Sequence, residues 1–264
     1  MTDVPLRDPS RLYVKFPTTL ARPVFAPIDC DSLAAINSDL AKVDIGYLRE
    51  KLQAKGASML AGLEKTKPVP ADGLPKELDV VINDLSAEVP THMLAVWSKE
   101  PHPAGQRRPV GLFPVHDVML AANCAHLPAF PASIPPPPLT EGDTIRVPVV
   151  PLCVPHRASF GILQNYIYTR KAELVLAHLI PKPPTGVPRM QVTQVVGESL
   201  TPAALATYLM RIHGFWSNVC ALGVFDDALW RVIDFAWGFV MDALKHAGNS
   251  GVRVEGTSQA SAQQ

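Results

Sequence analysis

Two cysteine–histidine pairs are the first residues in this chain whose types could do chemistry. Cys124 and His126 are two apart, and Cys153 and His156 are three apart. Four soft ligands of that kind could hold zinc tetrahedrally, although structural zinc sites normally use tighter ligand pairs. The ordinary alternative is that both thiols pack in a core while the histidines cap or end helices. We adopt that alternative and assign no metal ligand and no cofactor. His116 with Asp117, or His92 with Cys124, could be drawn as the base and nucleophile of a hydrolase, but nothing in their spacing forces them together. The chain has no Gly-rich loop ending in Gly-Lys-Ser/Thr, no G-x-G-x-x-G, no G-x-S-x-G and no H-E-x-x-H. We therefore assign no catalytic residue. The aromatic residues near the C-terminus are better candidates. Trp216, Trp230, Trp237 and Phe239 are read as partner-binding residues, because tryptophan buries a large area with one polar handle and dominates interface hot spots. Simple core packing is the competing reading.

Composition narrows the field. Among 264 residues, 24 Lys and Arg balance 24 Asp and Glu. A protein that binds nucleic acid by counterion release, or an anionic membrane, usually shows a basic excess, so neither partner is expected. Hydrophobic residues at 47% are enough to build a core. The apolar stretch from Phe215 to Met241 is interrupted by Asp226, Asp227, Arg231 and Asp234, which excludes a simple membrane span. Met1 to Arg11 is polar and lacks the apolar centre of a secretory signal. The four cysteines are scattered, so no disulfide framework is expected. These features read as a soluble intracellular protein. The 27 prolines, about twice the ordinary share, imply many rigid connections.

The elements that must position these residues follow from periodicity and punctuation. Residues 1–30 read as an irregular proline-rich arm. Asp31 can cap a helix over 31–64, with Leu33, Ile36, Leu40, Val43 and Tyr47 on one face. Lys65 to Pro75 is a linker, and a short helix is predicted next on Leu78, Val81, Ile82 and Leu85. His92 to Ser98 and Arg108 to Pro114 read as a hairpin with a long loop through Pro101 to Gly105. Val118 to His126 is helical in pattern. Pro135 to Pro138 is a short polyproline run, more often a connector than a ligand. Thr144 to Leu152 is a valine-rich strand whose Pro148 and Pro151 remove ladder donors, so it belongs at an edge or carries a bulge. Helices follow at Arg157 to Thr169, Ala172 to Leu179, Thr201 to Gly214, and Asp226 to Lys245. The last two make a helical pair over 198–247, and 248–264 reads as a disordered tail.

Two segments carry a resemblance. They are Phe113-Pro-Val-His-Asp-Val-Met-Leu-Ala-Ala-Asn-Cys-Ala-His-Leu127 and Val149-Val-Pro-Leu-Cys-Val-Pro-His-Arg-Ala-Ser-Phe-Gly-Ile-Leu-Gln-Asn-Tyr-Ile-Tyr-Thr169. Their order resembles the core of a BTB/POZ domain, with His116, Leu120, Ala121, Phe160, Leu163, Tyr166, Tyr168 and Thr169 at matching positions. Those positions are structural in that family. The resemblance covers about residues 91–180, inside an α/β core placed over 75–180. It departs in the proline-rich insert and in the helices after Pro181. It implies an α+β fold with a small mixed sheet flanked by helices. Such a core would present helices for a homodimer or for other partners, and an adaptor of a cullin ubiquitin ligase is one alternative. More narrowly, Val147 to Pro181 together with Phe215-Trp-Ser-Asn-Val-Cys-Ala-Leu-Gly-Val-Phe-Asp-Asp-Ala-Leu-Trp230 resembles the clampless-type proteins of mushroom-forming and related fungi. That resemblance implies a nuclear regulator of mating-type-dependent sexual development. It would act in clamp cell formation and dikaryon cell-cycle control by binding other proteins, transcription regulators among them, with no small-molecule substrate and no enzyme activity.

Overall fold

Asp29 starts the first helix, α1 (Cys30–Ile36), by accepting the Asp31 N–H at 2.9 Å. The structure is a computed structural model that describes residues 16–98, 105 and 108–247. Residues 1–15 of the arm, the loop from Pro101 to Ala104, and the tail over 248–264 lie outside those described. The expected single helix over 31–64 is two helices. Asn37 is extended, and its side chain accepts the Asp39 N–H at 2.9 Å, a local bond that competes with the helix. One 3-10 turn follows at Leu40–Lys42, and Asp44 then caps α2 (Ile45–Lys65) through the Tyr47 N–H. The apolar face still works as one surface. Leu33, Leu48, Ala121 and Ala122 form a small cluster, with Ile36, Leu40 and Val43 packed against it.

The segment predicted as a short helix after Pro75 is a strand. β1 (Lys67–Pro68) and β2 (Glu77–Val81) pair antiparallel. Leu78 and Val80 are buried while Glu77 is exposed, a period of two that outweighs the helical spacing once a partner strand is present. β3 (His92–Ser98) and β4 (Gly111–Val115) form the expected antiparallel hairpin. The helical pattern after it shrinks to α3 (Asp117–Ala121). The sheet order is β1-β2-β5-β3-β4.

β5 (Thr144–Val154) stands in the middle of the strand order and not at the end of the sheet, where the proline argument placed it. It changes partner midway. Residues 144–148 pair antiparallel with β2, and residues 149–154 pair parallel with β3. Each half therefore has one unpaired side. Pro148 ends the first ladder opposite Glu77, and Pro151 lies opposite Ala95, where a parallel ladder can be carried by the N–H groups of its neighbours. The prolines are tolerated because the strand is locally an edge twice. Asp79 and Arg146 sit opposite each other across the antiparallel half, joined at 2.7 and 3.2 Å.

The helices after the sheet are α4 (Phe160–Thr169), α5 (Ala172–Leu179), α6 (Val192–Ser199), α7 (Pro202–Leu222) and α8 (Asp227–Ala247). The fold is thus mixed α+β, with one sheet and eight α-helices among the described residues. Thr201 caps α7 as expected, but the helix does not stop at Gly214. It runs on to Gly223, whose φ of 64° supplies the left-handed turn. Gly214 is needed for closeness instead, since a Cβ there would overlap the His156 ring. One core joins the hairpin and the parallel half of β5 to α3, α4, α7 and α8, with Leu94, Val96, Leu152, Phe160, Leu163 and Phe215 near its centre. Burying each such side chain contributes about 1.5–3 kcal/mol. No helix among the described residues is long and apolar enough to cross a membrane.

Two glycines make opposite predictions. A Cβ on Gly56 of α2 would run into the backbone carbonyl of Tyr168 on α4. Backbone cannot rotate away, so Gly56→Ala is expected to destabilise by about 1–3 kcal/mol. At Gly238 of α8 an added methyl would meet no atom within 4 Å, so Gly238→Ala is expected to stabilise by about 0.5–1 kcal/mol. Urea denaturation of both variants checks the pair, and equal midpoints would contradict the close α2–α4 packing.

Candidate functional site

The groups that could do chemistry are held in the hydrogen bonds of the fold. His116 is buried. Its Nε2–H donates to the Glu88 carbonyl at 3.2 Å, and its Nδ1 faces the Tyr168 hydroxyl at 3.1 Å. The same hydroxyl accepts the His116 backbone N–H at 2.9 Å. That pattern fits a neutral ring with both nitrogens engaged, so neither is left for Cys124. His92 is also buried. Its Nε2–H donates to the Pro131 carbonyl at 2.8 Å, and its Nδ1 lies 2.9 Å from Thr91 Oγ1 and 3.7 Å from Asp117 Oδ2. Cys124 is buried, and burial pushes its thiol up to about 12, opposed only in part by Arg170 and Arg49. A protonated thiol there is a poor nucleophile.

The two cysteine–histidine pairs do not converge. His126 packs beside Gly223, while His156 lies 2.9 Å from Ser159 Oγ and its backbone N–H donates to Asn218 Oδ1. Among the described residues, no three His, Cys, Asp or Glu side chains gather as a metal would need.

Burial lowers the proton affinity of both His92 and His116 below the ordinary histidine value. The carbonyl partners and Asp117 offset this only in part. The unfolded chain therefore takes up protons first as pH falls through about 6.5, and the folded chain follows lower down. Stability is full above that value and is expected to decline from pH 7 towards 5, by up to about 1.4 kcal/mol per pH unit for each ring. Thermal melts across that range check it. His116→Gln should flatten the slope, and a flat wild-type profile would contradict the neutral, buried assignment.

The aromatic residues of the last two helices meet a partner that the sequence did not announce: the chain's own arm. Residues 16–25 cross α7 and α8 without helix or strand. Trp216 Nε1–H donates to the Ala21 carbonyl at 2.9 Å, and Trp237 Nε1–H donates to the Pro17 carbonyl at 3.2 Å. Phe16 meets Trp237 edge-on at 6.0 Å. The Arg22 guanidinium lies 5.8 Å from the Trp230 ring centre and 2.8 Å from Asp234. Phe25 meets Phe225 at 5.0 Å. A cavity of about 450 Å³ lies beside this strap, lined in part by Phe16, Pro155, His156, Met210 and His213.

Placement of the four expected partner-binding residues is therefore uneven. Trp230 and Trp237 are only 3% and 2% exposed and belong to the core, because a helix apolar on most sides turns its largest rings inward. Trp216 and Phe239 are half-buried. Phe235, absent from the four expected positions, is 56% exposed and lies 6.0 Å from Phe239, one helical turn along. Its place on the polar stripe beside Asp234 is the signal that could have found it. Among the aromatics of α8, Phe235 faces solvent and Phe239 lies half-buried beside it, on the face next to the strap's Arg22–Asp234 ion pair.

With this geometry in hand, comparisons with known proteins locate the chain among others. The N-terminal domain model of Clampless protein 1 matches residues 23–155, half of the chain, and its C-terminal domain model matches residues 173–264. Two curated proteins named Clampless protein 1 are each 25% identical over 130 residues. They come from strains JEC21 and B-3501A of Cryptococcus neoformans var. neoformans serotype D. The shared stretch is 49% of this chain and 26% of theirs, so the match spans about a quarter of those relatives' length. No solved structure matches.

Proposed function

This chain belongs to the clampless protein family, and from that premise we propose that it is a non-catalytic interaction protein of basidiomycete sexual development. Its role on this reading is in clamp cell formation and dikaryon cell-cycle control under the mating-type factors, from within the nucleus. Its partners are other proteins, with transcription regulators of that pathway as the expected class. The observation that carries the interaction reading is the aromatic surface of α7 and α8. It already grips a stretch of extended chain through two indole N–H groups and an ion pair to Arg22. A surface built to hold an extended segment is chemically suited to protein recognition. The order of hairpin, short helix, parallel strand and helix over residues 92–169 supports the BTB/POZ-like description of the middle.

The test is complementation. In the source fungus, deletion of the gene should abolish clamp cells in compatible matings, and the wild-type chain should restore them. A chain carrying Phe235→Ser and Phe239→Ser, at equal protein level, should not. Normal clamps in the deletion strain would overturn the pathway. Full rescue by the double variant would overturn the surface.

A further inference from the structure

The run Ile134-Pro-Pro-Pro-Pro-Leu139 has a conformation that its own sequence imposes. Four consecutive residues, Ile134 to Pro137, each precede a proline, which confines them to the extended region. Pro135 to Pro138 each have φ held near about −65°. The result is a left-handed polyproline helix with about three residues per turn, so residues three apart share a ridge. Exposure follows that period. Pro135 and Pro138, one ridge, are half-buried, while Pro136 and Pro137 are exposed. Ile134 and Leu139 stand 97% and 88% exposed. The two outer ridges, Ile134 with Pro137 and Pro136 with Leu139, are therefore free along their length.

The run is also anchored at both ends. Before it, the buried His92 ring donates to the Pro131 carbonyl at 2.8 Å, and Ser133 Oγ donates to the Thr91 carbonyl at 2.7 Å. After it, the Leu139 and Thr140 N–H groups both donate to Asp143 Oδ2 at 2.8 Å, and Thr140 Oγ1 donates to Oδ1 at 2.8 Å. A connector needs only to span. This segment is stiff, tethered at each end to the sheet and its turn, and displays two large aliphatic side chains to solvent.

We propose that Ile134–Leu139 is a docking ligand for a polyproline-reading protein groove lined by aromatic rings, of the EVH1 type. The ordering cost of binding is largely met in advance, because the prolines are already in the bound conformation. No Lys or Arg occurs from Leu127 to Leu139 to engage an acidic specificity pocket. No tyrosine occurs from Leu139 to Asp143 either. Four uninterrupted prolines with a bulky apolar residue at each end fit a groove read by shape and apolar contact. This site is separate from the α7–α8 surface and does not depend on it.

The full chain should be titrated with a recombinant EVH1 domain, with an SH3 domain and a WW domain as parallel arms, by calorimetry. Saturable binding of the EVH1 domain is expected. Pro136→Ala with Pro137→Ala should weaken it at least about tenfold, equal to about 1.4 kcal/mol. Ile134→Phe should strengthen it. All three positions are exposed, so unchanged melting curves will show that folding is not the cause. Absence of EVH1 binding, binding that ignores the proline substitutions, or selective capture of the SH3 or WW domain would each overturn the proposal.

Discussion

Asp226→Ala should cost the fold about 2–4 kcal/mol, because it removes a helix cap, a tyrosine hydrogen bond and the counter-charge of a partly buried guanidinium. Its carboxylate accepts from Arg170 at 2.6 Å and from the Tyr166 hydroxyl at 2.8 Å. It also caps α8, taking the Ala228 and Leu229 N–H groups at 2.9 and 3.1 Å. Arg170 ends α4 at a φ of 54° and donates as well to Asn123 beyond α3. One carboxylate thus ties the end of α4, the loop after α3 and the start of α8. Alanine would leave a guanidinium that is only 16% exposed without its counter-charge. Urea denaturation of Asp226→Ala, Arg170→Met and the double variant measures the coupling. If the double variant costs the sum of the singles, the network is not cooperative.

The same carboxylate sets an acid limb. Burial alone would raise its proton affinity, but the Tyr166 hydroxyl, the two backbone donors and Arg170 together hold it below the ordinary carboxylate value. The stability it contributes is complete above the unfolded value of about 3.9 and is lost as pH falls from there through the lower folded value. Asp226→Asn should remove part of the stability loss seen on acidification below about pH 4.

Trp237→Ala is the second large effect, about 3–5 kcal/mol, as for other buried aromatic truncations. The ring is 2% exposed, packs on Phe16 and holds the Pro17 carbonyl. Loss of the whole side chain opens a cavity and frees one end of the strap. Trp237→Phe isolates the indole hydrogen bond and should cost about 1 kcal/mol. Phe235→Ser, at an exposed position, should stay within about 0.5 kcal/mol of wild type. Equilibrium unfolding of the three variants separates core from surface. A Trp237→Ala protein as stable as Phe235→Ser would refute the burial described.

Local signals carry much of the fold. The β3–β4 hairpin, α4, α5 and the existence of α8 follow from period and punctuation, because a strand or helix with one apolar face advertises it in spacing alone. The resemblance motifs in Phe113 to Leu127 and Val149 to Thr169 are legible for the same reason. Glu77 to Val81 is a strand where the spacing of Leu78, Val81, Ile82 and Leu85 predicts a helix, because a run of apolar residues fits either period and only the facing strand at 144–148 decides between them. Asn37 and Asp44 split the first helix through side-chain bonds whose strength is local but whose outcome depends on where the apolar face must dock.

By itself the chain determined an α+β protein of neutral charge, its family resemblance, its hairpin and its aromatic C-terminal helices. Only the tertiary structure decided that Trp230 and Trp237 point inward, that Arg170 and Asp226 meet across 56 residues, and that the arm lies on α7 and α8. Periodicity reports which face of an element is apolar. It does not report what covers that face, because the covering atoms come from residues distant in sequence, chosen by packing and hydrogen-bond geometry in three dimensions.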